Sequence, residues 1–223
     1  MVGLMTSPQF KHIYGPVYSW RIGRSLGIDP LLSQQKSCDF DCSYCQLGAG
    51  EGLPFERKVF VPAEEIAAEI QDLPEDCRVD YFTFSGNGEP TLAANLGDMI
   101  RAVKACRPPG AAKVAVITNA STIMRPDVQA DLRLADLGLC KIDAPDQKVF
   151  EQMNRPAPGL RLEDIINGIK SFRKDFRGRL AVQVMFTEAN QADAAELAQI
   201  ARDIGPDEVQ LNTPLRPSPV RPL

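Results

Sequence analysis

The sequence predicts an α/β fold, an open barrel of six strand–helix units, and three observations support this fold class. From about residue 60, short runs rich in Val, Ile, Phe and Leu alternate with segments of helical periodicity, a pattern typical of a parallel sheet with crossover helices. Right-handed crossovers with short loops curl such units into a barrel. The chain has 223 residues, whereas a closed eight-unit barrel usually needs about 250. A partial (β/α)6 barrel is therefore expected.

The predicted strands are short runs of residues that favour extended structure. Five of them follow residue 60, at 79–85, 113–119, 138–143, 180–187 and 208–213. A sixth is expected at 25–31, just before a cluster of cysteines, although Gly27 and Pro30 weaken its pattern.

The predicted helices carry apolar stripes at helical spacing. They cover 62–73, 92–106, 127–135, 162–172 and 191–205, with a further short helix at 146–154. The first begins with Pro62 and early acidic residues, as helix N-termini prefer.

Two segments fall outside this alternation. Residues 1–24 place Tyr14, Tyr18 and Trp20 among glycines and a proline, and are expected to form an N-terminal extension, a lid or an edge. Residues 216–223 form a proline-rich tail. The predicted division is thus an extension at 1–24, a barrel at 25–215 and a tail at 216–223.

Composition excludes several classes of protein. The formal charge of −4 argues against non-specific electrostatic binding to nucleic acid or to anionic lipid. No apolar run approaches the ~20 residues of a membrane span, and the first residues lack the apolar stretch of a secretory signal. We therefore expect a cytoplasmic protein without a membrane partner, and in a reducing compartment its six cysteines are not expected to form a disulfide framework.

Three of these cysteines, Cys38, Cys42 and Cys45, form a CxxxCxxC motif in a loop between a predicted strand and a helix. Clustered thiolates are soft ligands that select iron–sulfur clusters or zinc. Three cysteines on a four-iron cluster leave one iron open to an exogenous molecule, which favours a catalytic role.

Two alternatives stay open for the triplet, a zinc site and coincidental burial. A structural zinc ion needs four ligands. The fourth would have to come from outside the motif, where the candidates are Cys77, Cys106, Cys140 and His12. These three isolated cysteines are instead expected to be small core residues without a function.

The motif and its surroundings resemble a known family. CxxxCx(aromatic)C, with Tyr44 in the aromatic position, resembles the hallmark of the radical S-adenosylmethionine (SAM) superfamily. The sequence around the motif resembles the iron–sulfur oxidoreductase branch that is grouped with the wyosine synthases of tRNA modification. The resemblance lies in the segments GPVYSWRIGRSLGIDPL and KSCDFDCSYCQLG.

The resemblance implies a 4Fe-4S cluster whose open iron binds SAM, together with reductive cleavage of SAM to methionine and a deoxyadenosyl radical. It also implies an electron donor of the flavodoxin or ferredoxin type. In the resembled fold, the protein orients the substrate and excludes water.

Further site residues follow from the resemblance at the ends of predicted strands. Asn87, Gly88 and Glu89 resemble the Gly-Gly-Glu segment that supports the methionine ammonium group, with Asn87 in place of a glycine. Asn119 resembles the Thr-Asn-Gly ending and is expected to bind ribose or carboxylate oxygen, with Ala120 replacing the glycine. An ordinary glycine-rich strand exit is the alternative for the first segment.

Three more candidates come from strand alternation. Asp143 lies two residues after Lys141, so both side chains face one side of the sheet. Asp143 is the preferred cofactor-binding residue of the two. The alternative is that Lys141 and Asp143 form a surface ion pair. Gln183 and Asn212, from the last two strands, are candidates for the nucleoside, and an inter-strand polar network is the alternative.

The leading hypothesis is therefore an iron–sulfur oxidoreductase that starts radical chemistry on an unidentified substrate, for which a small molecule is one candidate. A tRNA substrate is the alternative within this class, opposed by the acidic charge balance and by the lack of a recognisable RNA-binding domain. A non-catalytic iron–sulfur carrier and a zinc-binding module are the alternatives outside it. The sequence carries no signal of oligomeric state.

Overall fold

The computed structural model describes residues 10–33, 35–50, 56–106, 112–215 and 218. Their strands form one seven-stranded sheet in which consecutive strands are neighbours. β1 is antiparallel to β2, and β2 to β7 are parallel. The strands are β1 (Ile13–Ser19), β2 (Gly23–Ile28), β3 (Tyr81–Phe84), β4 (Lys113–Thr118), β5 (Leu137–Lys141), β6 (Arg179–Met185) and β7 (Glu208–Asn212). The sheet curls into a half-barrel, which confirms the predicted fold class.

Six helices lie in the described residues that follow the cysteine loop. They are α1 (Ala63–Gln71), α2 (Leu96–Ala105), α3 (Pro126–Leu132), α4 (Gln147–Met153), α5 (Leu162–Asp175) and α6 (Ala194–Ile204). All six match predicted helices. α2 and α6 begin later than predicted, because Pro90–Leu92 and Gln191–Asp193 form separate 3-10 turns.

The main core lies between the sheet and these helices. Phe82 and Phe84 of β3 are buried there together with Ile66 of α1 and Met99 of α2. Because side chains alternate across a strand, the residues between them face the inside of the half-barrel. A smaller cluster, which includes Ala115 and Leu139, belongs to that inner face.

β1 lies within the residues predicted to be an extension, a lid or an edge, and it forms one edge of the sheet. The sequence pattern missed this strand because Gly15 and Pro16 interrupt it, and the pairing with β2 shifts register between Tyr14 and Val17. Tyr14 pairs with Gly27, where an added Cβ would lie 2.1 Å from the tyrosine ring. Gly27 therefore marks a close approach between two strands, not a break in β2.

The predicted boundaries differ from the observed elements at several points. β2 begins at Gly23, before the predicted barrel start at residue 25. β5 ends at Lys141, so Asp143 lies just beyond the strand. The predicted tail, including Arg216 and Pro217, lies outside the described residues except for Ser218. No helix in the described ranges combines the length and hydropathy needed to span a bilayer.

The isolated cysteines differ in burial. Cys140 of β5 is buried, as predicted, and burial raises the pKa of its thiol to about 12. Cys106 is half-buried at the end of α2, and Cys77 is half-buried in the turn before β3. Cys106 packs against the main core, so the prediction of a core position holds for it in part. The prediction was wrong for Cys77, which lies in a turn between exposed residues.

Candidate functional site

The cysteine loop lies between β2 and α1 and packs against the exit of β3. Ser37, which precedes Cys38, donates its backbone N–H to Asn87 O at 2.9 Å, and its carbonyl accepts from Glu89 N at 2.9 Å. A Cβ on Gly88 would lie 1.7 Å from Ser37 O. Only glycine allows this backbone approach, which brings Asn87, Gly88 and Glu89 to the start of the cysteine loop.

A second segment, residues 153–157 after α4, holds the other side of the loop. The two segments are joined by Ser43 N to Met153 O at 2.8 Å, Asp41 N to Arg155 O at 3.0 Å and Ala157 N to Asp39 O at 2.7 Å. The Phe40 ring also meets the edge of Phe150, with centroids 5.2 Å apart. The cysteine loop is therefore clamped from two sides.

Two of the three thiols receive side-chain amide donors. Asn119 Nδ2 lies 3.6 Å from Cys38 Sγ, and Asn154 Nδ2 lies 3.5 Å from Cys42 Sγ. Burial is the largest cause that raises the pKa of both thiols, that of Cys38 well above its ordinary value. The nearby Lys141 acts in the opposite direction on Cys42.

Lys36 and Asp41 form a buried ion pair across the loop. Lys36 Nζ lies 2.9 Å from Asp41 Oδ1 and 3.3 Å from Gly48 O, and its side chain is 6 % exposed. Burial lowers the pKa of the Lys36 ammonium group, but the hydrogen bond with Asp41 and the neighbouring Cys45, Asp41 and Cys38 together raise it above its ordinary value. Lys36 thus connects Asp41, inside the motif, with Gly48 after it, and places a positive charge beside two thiols.

In the described part of the chain, no group of three or more His, Cys, Asp or Glu side chains could hold a single metal ion. A cluster has a different requirement, because each cysteine binds its own iron, so the sulfurs lie farther apart than the ligands of one ion. The amide donors at Cys38 and Cys42 are of the kind that stabilise negative charge on cluster sulfur. The donor set therefore fits an iron–sulfur cluster.

Tyr44, the aromatic residue of the motif, is tied to the end of β5. Its buried hydroxyl donates to Asp143 Oδ2, and Asn154 Nδ2 donates to the same oxygen at 3.0 Å. Asp143 Oδ1 accepts from Met185 N at 2.7 Å. Lys141 Nζ lies 4.4 Å from the centre of the Tyr44 ring and 3.7 Å from Asp143 Oδ2. Asp143 and Lys141 thus point into the half-barrel, and protein groups occupy both oxygens of Asp143.

Glu89 joins the ends of β3 and β4. Its Oε1 accepts from Thr91 N, Thr91 Oγ1 and Thr118 Oγ1 at 3.0, 2.7 and 2.6 Å, and its Oε2 accepts from Asn119 N at 2.7 Å. Burial is the main cause that raises its pKa to about 7, the charge of Asp39 adds to this, and the hydrogen bonds oppose it. Near neutral pH, the Glu89 carboxyl group is therefore present in both its protonated and its ionised form.

Asn119 also bonds within the protein. Its Nδ2 donates to Asp39 Oδ1 at 2.9 Å, and its Oδ1 accepts from Ser121 N at 2.9 Å. Ala120 has φ of +62°, a conformation that glycine adopts at lower cost.

Gln183 and Asn212 lie apart from the cysteines, on the last two strands. Gln183 is buried, and its Nε2 lies 3.5 Å from Gln210 Oε1 in a cross-strand contact. Asn212 pairs with Met185, and its carbonyl accepts from Phe186 N at 2.8 Å. The contact of Gln183 therefore matches the inter-strand polar network that was the alternative for this residue. Binding of a nucleoside by Gln183 and Asn212 stays a prediction.

Four residues around the cysteines were not predicted. Lys36 precedes the motif and Asp41 lies within it, so their opposite charges were a usable signal in the sequence. Asp39 and Asn154 had no such signal, because their contacts with Asn119 and Cys42 join residues about 80 and 112 positions apart.

Comparisons with known proteins agree with this geometry. Residues 32–201 match the Radical SAM superfamily. A UPF0026 protein of Synechocystis sp. is 41% identical over 215 residues, which are 95% of this chain and 78% of that protein. A UPF0026 protein of Methanocaldococcus jannaschii is 34% identical over 92% of this chain and 64% of its own length.

Solved structures share the fold at low sequence identity. Native anSMEcpe with bound AdoMet has a TM-score of 0.66 at 16% identity, over 86% of this chain and 52% of that one. Archaeal TYW1 has a TM-score of 0.57 at 14% identity, over 84% of this chain and 64% of that one. The chain therefore belongs to the UPF0026 family and to the Radical SAM superfamily, which implies that it uses S-adenosylmethionine and an iron–sulfur cluster.

Proposed function

We propose that the protein is an oxidoreductase that binds a 4Fe-4S cluster through Cys38, Cys42 and Cys45 and starts radical chemistry on a small-molecule substrate. When bound, the cluster and S-adenosylmethionine together supply a strong reductant and a deoxyadenosyl radical. The observation that carries the proposal is the cysteine loop itself, clamped at the carboxyl ends of the strands within the residues that match the superfamily. Parallel α/β folds place their chemistry at this edge.

The proposed roles of the chain's own residues follow from their places at this edge. Asn119 and Asn154 donate to the sulfurs of Cys38 and Cys42. Tyr44 and Asp143 hold the last part of the motif against β5. Glu89, beside the start of the loop, is the carboxylate proposed to attract the methionine ammonium group.

The rest of the half-barrel would orient the substrate. Gln183 and Asn212, on the inner face of β6 and β7, are proposed contacts of the nucleoside. The apolar cluster on the same face, which includes Leu137, Leu139 and Ala181, would exclude water from the radical. An electron donor of the flavodoxin or ferredoxin type is the proposed redox partner, and the cytoplasm the proposed location.

A first experiment tests the cluster and the chemistry together. The protein is purified without oxygen, iron, sulfide and zinc are measured, and the EPR spectrum of the reduced protein is recorded with and without S-adenosylmethionine. We expect about four irons and four sulfides per chain, a spectrum that changes on adding S-adenosylmethionine, and deoxyadenosine after reduction.

The variants Cys38→Ala, Cys42→Ala and Cys45→Ala should each lose iron and deoxyadenosine formation. Cys77→Ala is the matched control, since Cys77 is half-buried outside the loop. Zinc in place of iron, or a spectrum indifferent to S-adenosylmethionine, would overturn the proposal.

A further inference from the structure

The side chain of Asn154 lies at the centre of the contacts around Cys42. Its Nδ2 is 3.0 Å from Asp143 Oδ2, 3.3 Å from Tyr44 Oη and 3.5 Å from Cys42 Sγ. The residue is 2 % exposed. One amide therefore contacts a cysteine of the motif, the aromatic residue of the motif and the carboxylate that holds it.

These neighbours determine which way the amide points. Asp143 Oδ2 is a carboxylate oxygen, which accepts hydrogen bonds when ionised. The reverse orientation would place Asn154 Oδ1 against this oxygen, with no proton between them. The N–H side therefore faces Cys42, and one of its two hydrogens is directed to the sulfur.

The position in the helix does not explain why the side chain is buried. Asn154 is the C-cap of α4, with helical backbone angles, and the cap is made by its backbone N–H bonded to Phe150 O at 2.9 Å. This cap needs no particular side chain. Because burial of an amide is costly unless its hydrogen bonds are made, the contacts of Nδ2 with Cys42, Tyr44 and Asp143 account for the N–H side of the residue, while Oδ1 is buried with no hydrogen-bond partner among the described residues.

We infer that Asn154 is a positioning residue that sets the reduction potential of the cluster through its N–H to Cys42; this inference rests on the function proposed above. An N–H donor to cluster sulfur stabilises the negative charge gained on reduction and so raises the potential. The clamp between residues 39–43 and 153–157 keeps this donor in place.

The test uses full-length protein with its cluster reconstituted without oxygen. Asn154→Ala and Asn154→Leu each remove the N–H donor without adding a charge. Asn167→Ala, at an exposed position of α5, is the matched control. Iron content is measured first, and the midpoint potential is then determined by EPR-monitored redox titration without S-adenosylmethionine.

We expect each Asn154 variant that loads iron to have a more negative midpoint potential than wild type, and Asn167→Ala to be unchanged. An unchanged potential in a fully loaded Asn154 variant overturns the inference. Loss of the cluster in both variants also overturns it, because Asn154 would then be a structural support only. A wild-type protein that takes up no iron contradicts the proposed function instead, so the two failures are distinguishable.

Discussion

Glu89 is a buried carboxyl group whose pKa lies near 7 in the folded protein, against an ordinary value of 4.5. At pH values between these two, Glu89 binds a proton more strongly in the folded chain than in the unfolded chain. The stabilising contribution of protonated Glu89 is therefore complete below about pH 4.5 and is lost as the pH rises through about 7. Burial is the dominant cause, and the neighbouring Asp39 adds to it.

For the metal-free protein, we therefore expect Glu89→Gln to flatten the pH dependence of the free energy of unfolding between pH 5 and 8. The slope should change by up to about 1.4 kcal/mol per pH unit, the value for one proton. Urea denaturation at several pH values measures it. Glu163→Gln, at an exposed position of α5, is the control and should keep the wild-type slope; an equally steep slope in Glu89→Gln would show that another group is responsible.

Tyr44 gives a second prediction at the residue scale. Burial raises the pKa of its hydroxyl well above the ordinary value, so the group stays protonated and donates to Asp143. Tyr44→Phe should lower the free energy of unfolding by about 1–3 kcal/mol, because a buried carboxylate loses a donor. Tyr18→Phe, at an 81 % exposed position, should change it by less than about 0.5 kcal/mol. Equal stability of the two variants in chemical denaturation would contradict this account.

At the scale of elements, the site depends on two segments that pack against the cysteine loop and bond to its backbone. The exit of β3 contacts its beginning through Ser37, and the segment after α4 contacts residues 39–43. Both segments contribute backbone groups, so their placement depends on how closely the chains approach and not only on side-chain identity.

Gly88→Ala tests the first contact. An added Cβ would lie 1.7 Å from Ser37 O, so the loop must shift and Cys38 with it. We expect iron content after anaerobic reconstitution to fall several-fold. Gly138→Ala, where the added Cβ would meet only ordinary contacts starting at 3.5 Å from the Phe176 ring, should load iron like wild type. Wild-type iron content in Gly88→Ala would mean that the loop tolerates displacement.

At the scale of the whole molecule, charge bears on the choice between a small substrate and tRNA. The formal charge is −4, and binding to nucleic acid depends on basic groups that neutralise phosphates. The fold similarity to archaeal TYW1, at 14% identity, concerns the fold alone.

We expect binding to bulk tRNA at physiological salt to be no tighter than non-specific binding, with Kd above about 1 μM. Filter binding at two salt concentrations measures this, with a basic tRNA-binding protein as the positive control. Tight binding that weakens steeply with salt would favour the tRNA alternative.

Much of the fold could be predicted because it depends on local patterns. The six parallel strands and their helices follow from alternating periodicities that each segment carries by itself. β1 was missed because its pairing with β2 depends on Tyr14, whose ring covers Gly27 of the neighbouring strand. Such a contact between two strands cannot be seen in the residue pattern of either strand alone.

The sequence alone determined the half-barrel and the three cysteines, since periodicity and ligand spacing are properties of neighbouring residues. Only the tertiary structure decided how those cysteines are surrounded. Asn154 reaches Cys42 across 112 positions, and Asn119 reaches Cys38 across 81. The Asn119 contact arises because parallel strands bring their carboxyl ends to one edge. The Asn154 contact arises because the segment at the end of α4 packs against the cysteine loop. The strength of a hydrogen bond or a charge at these places depends on burial, which no local pattern specifies.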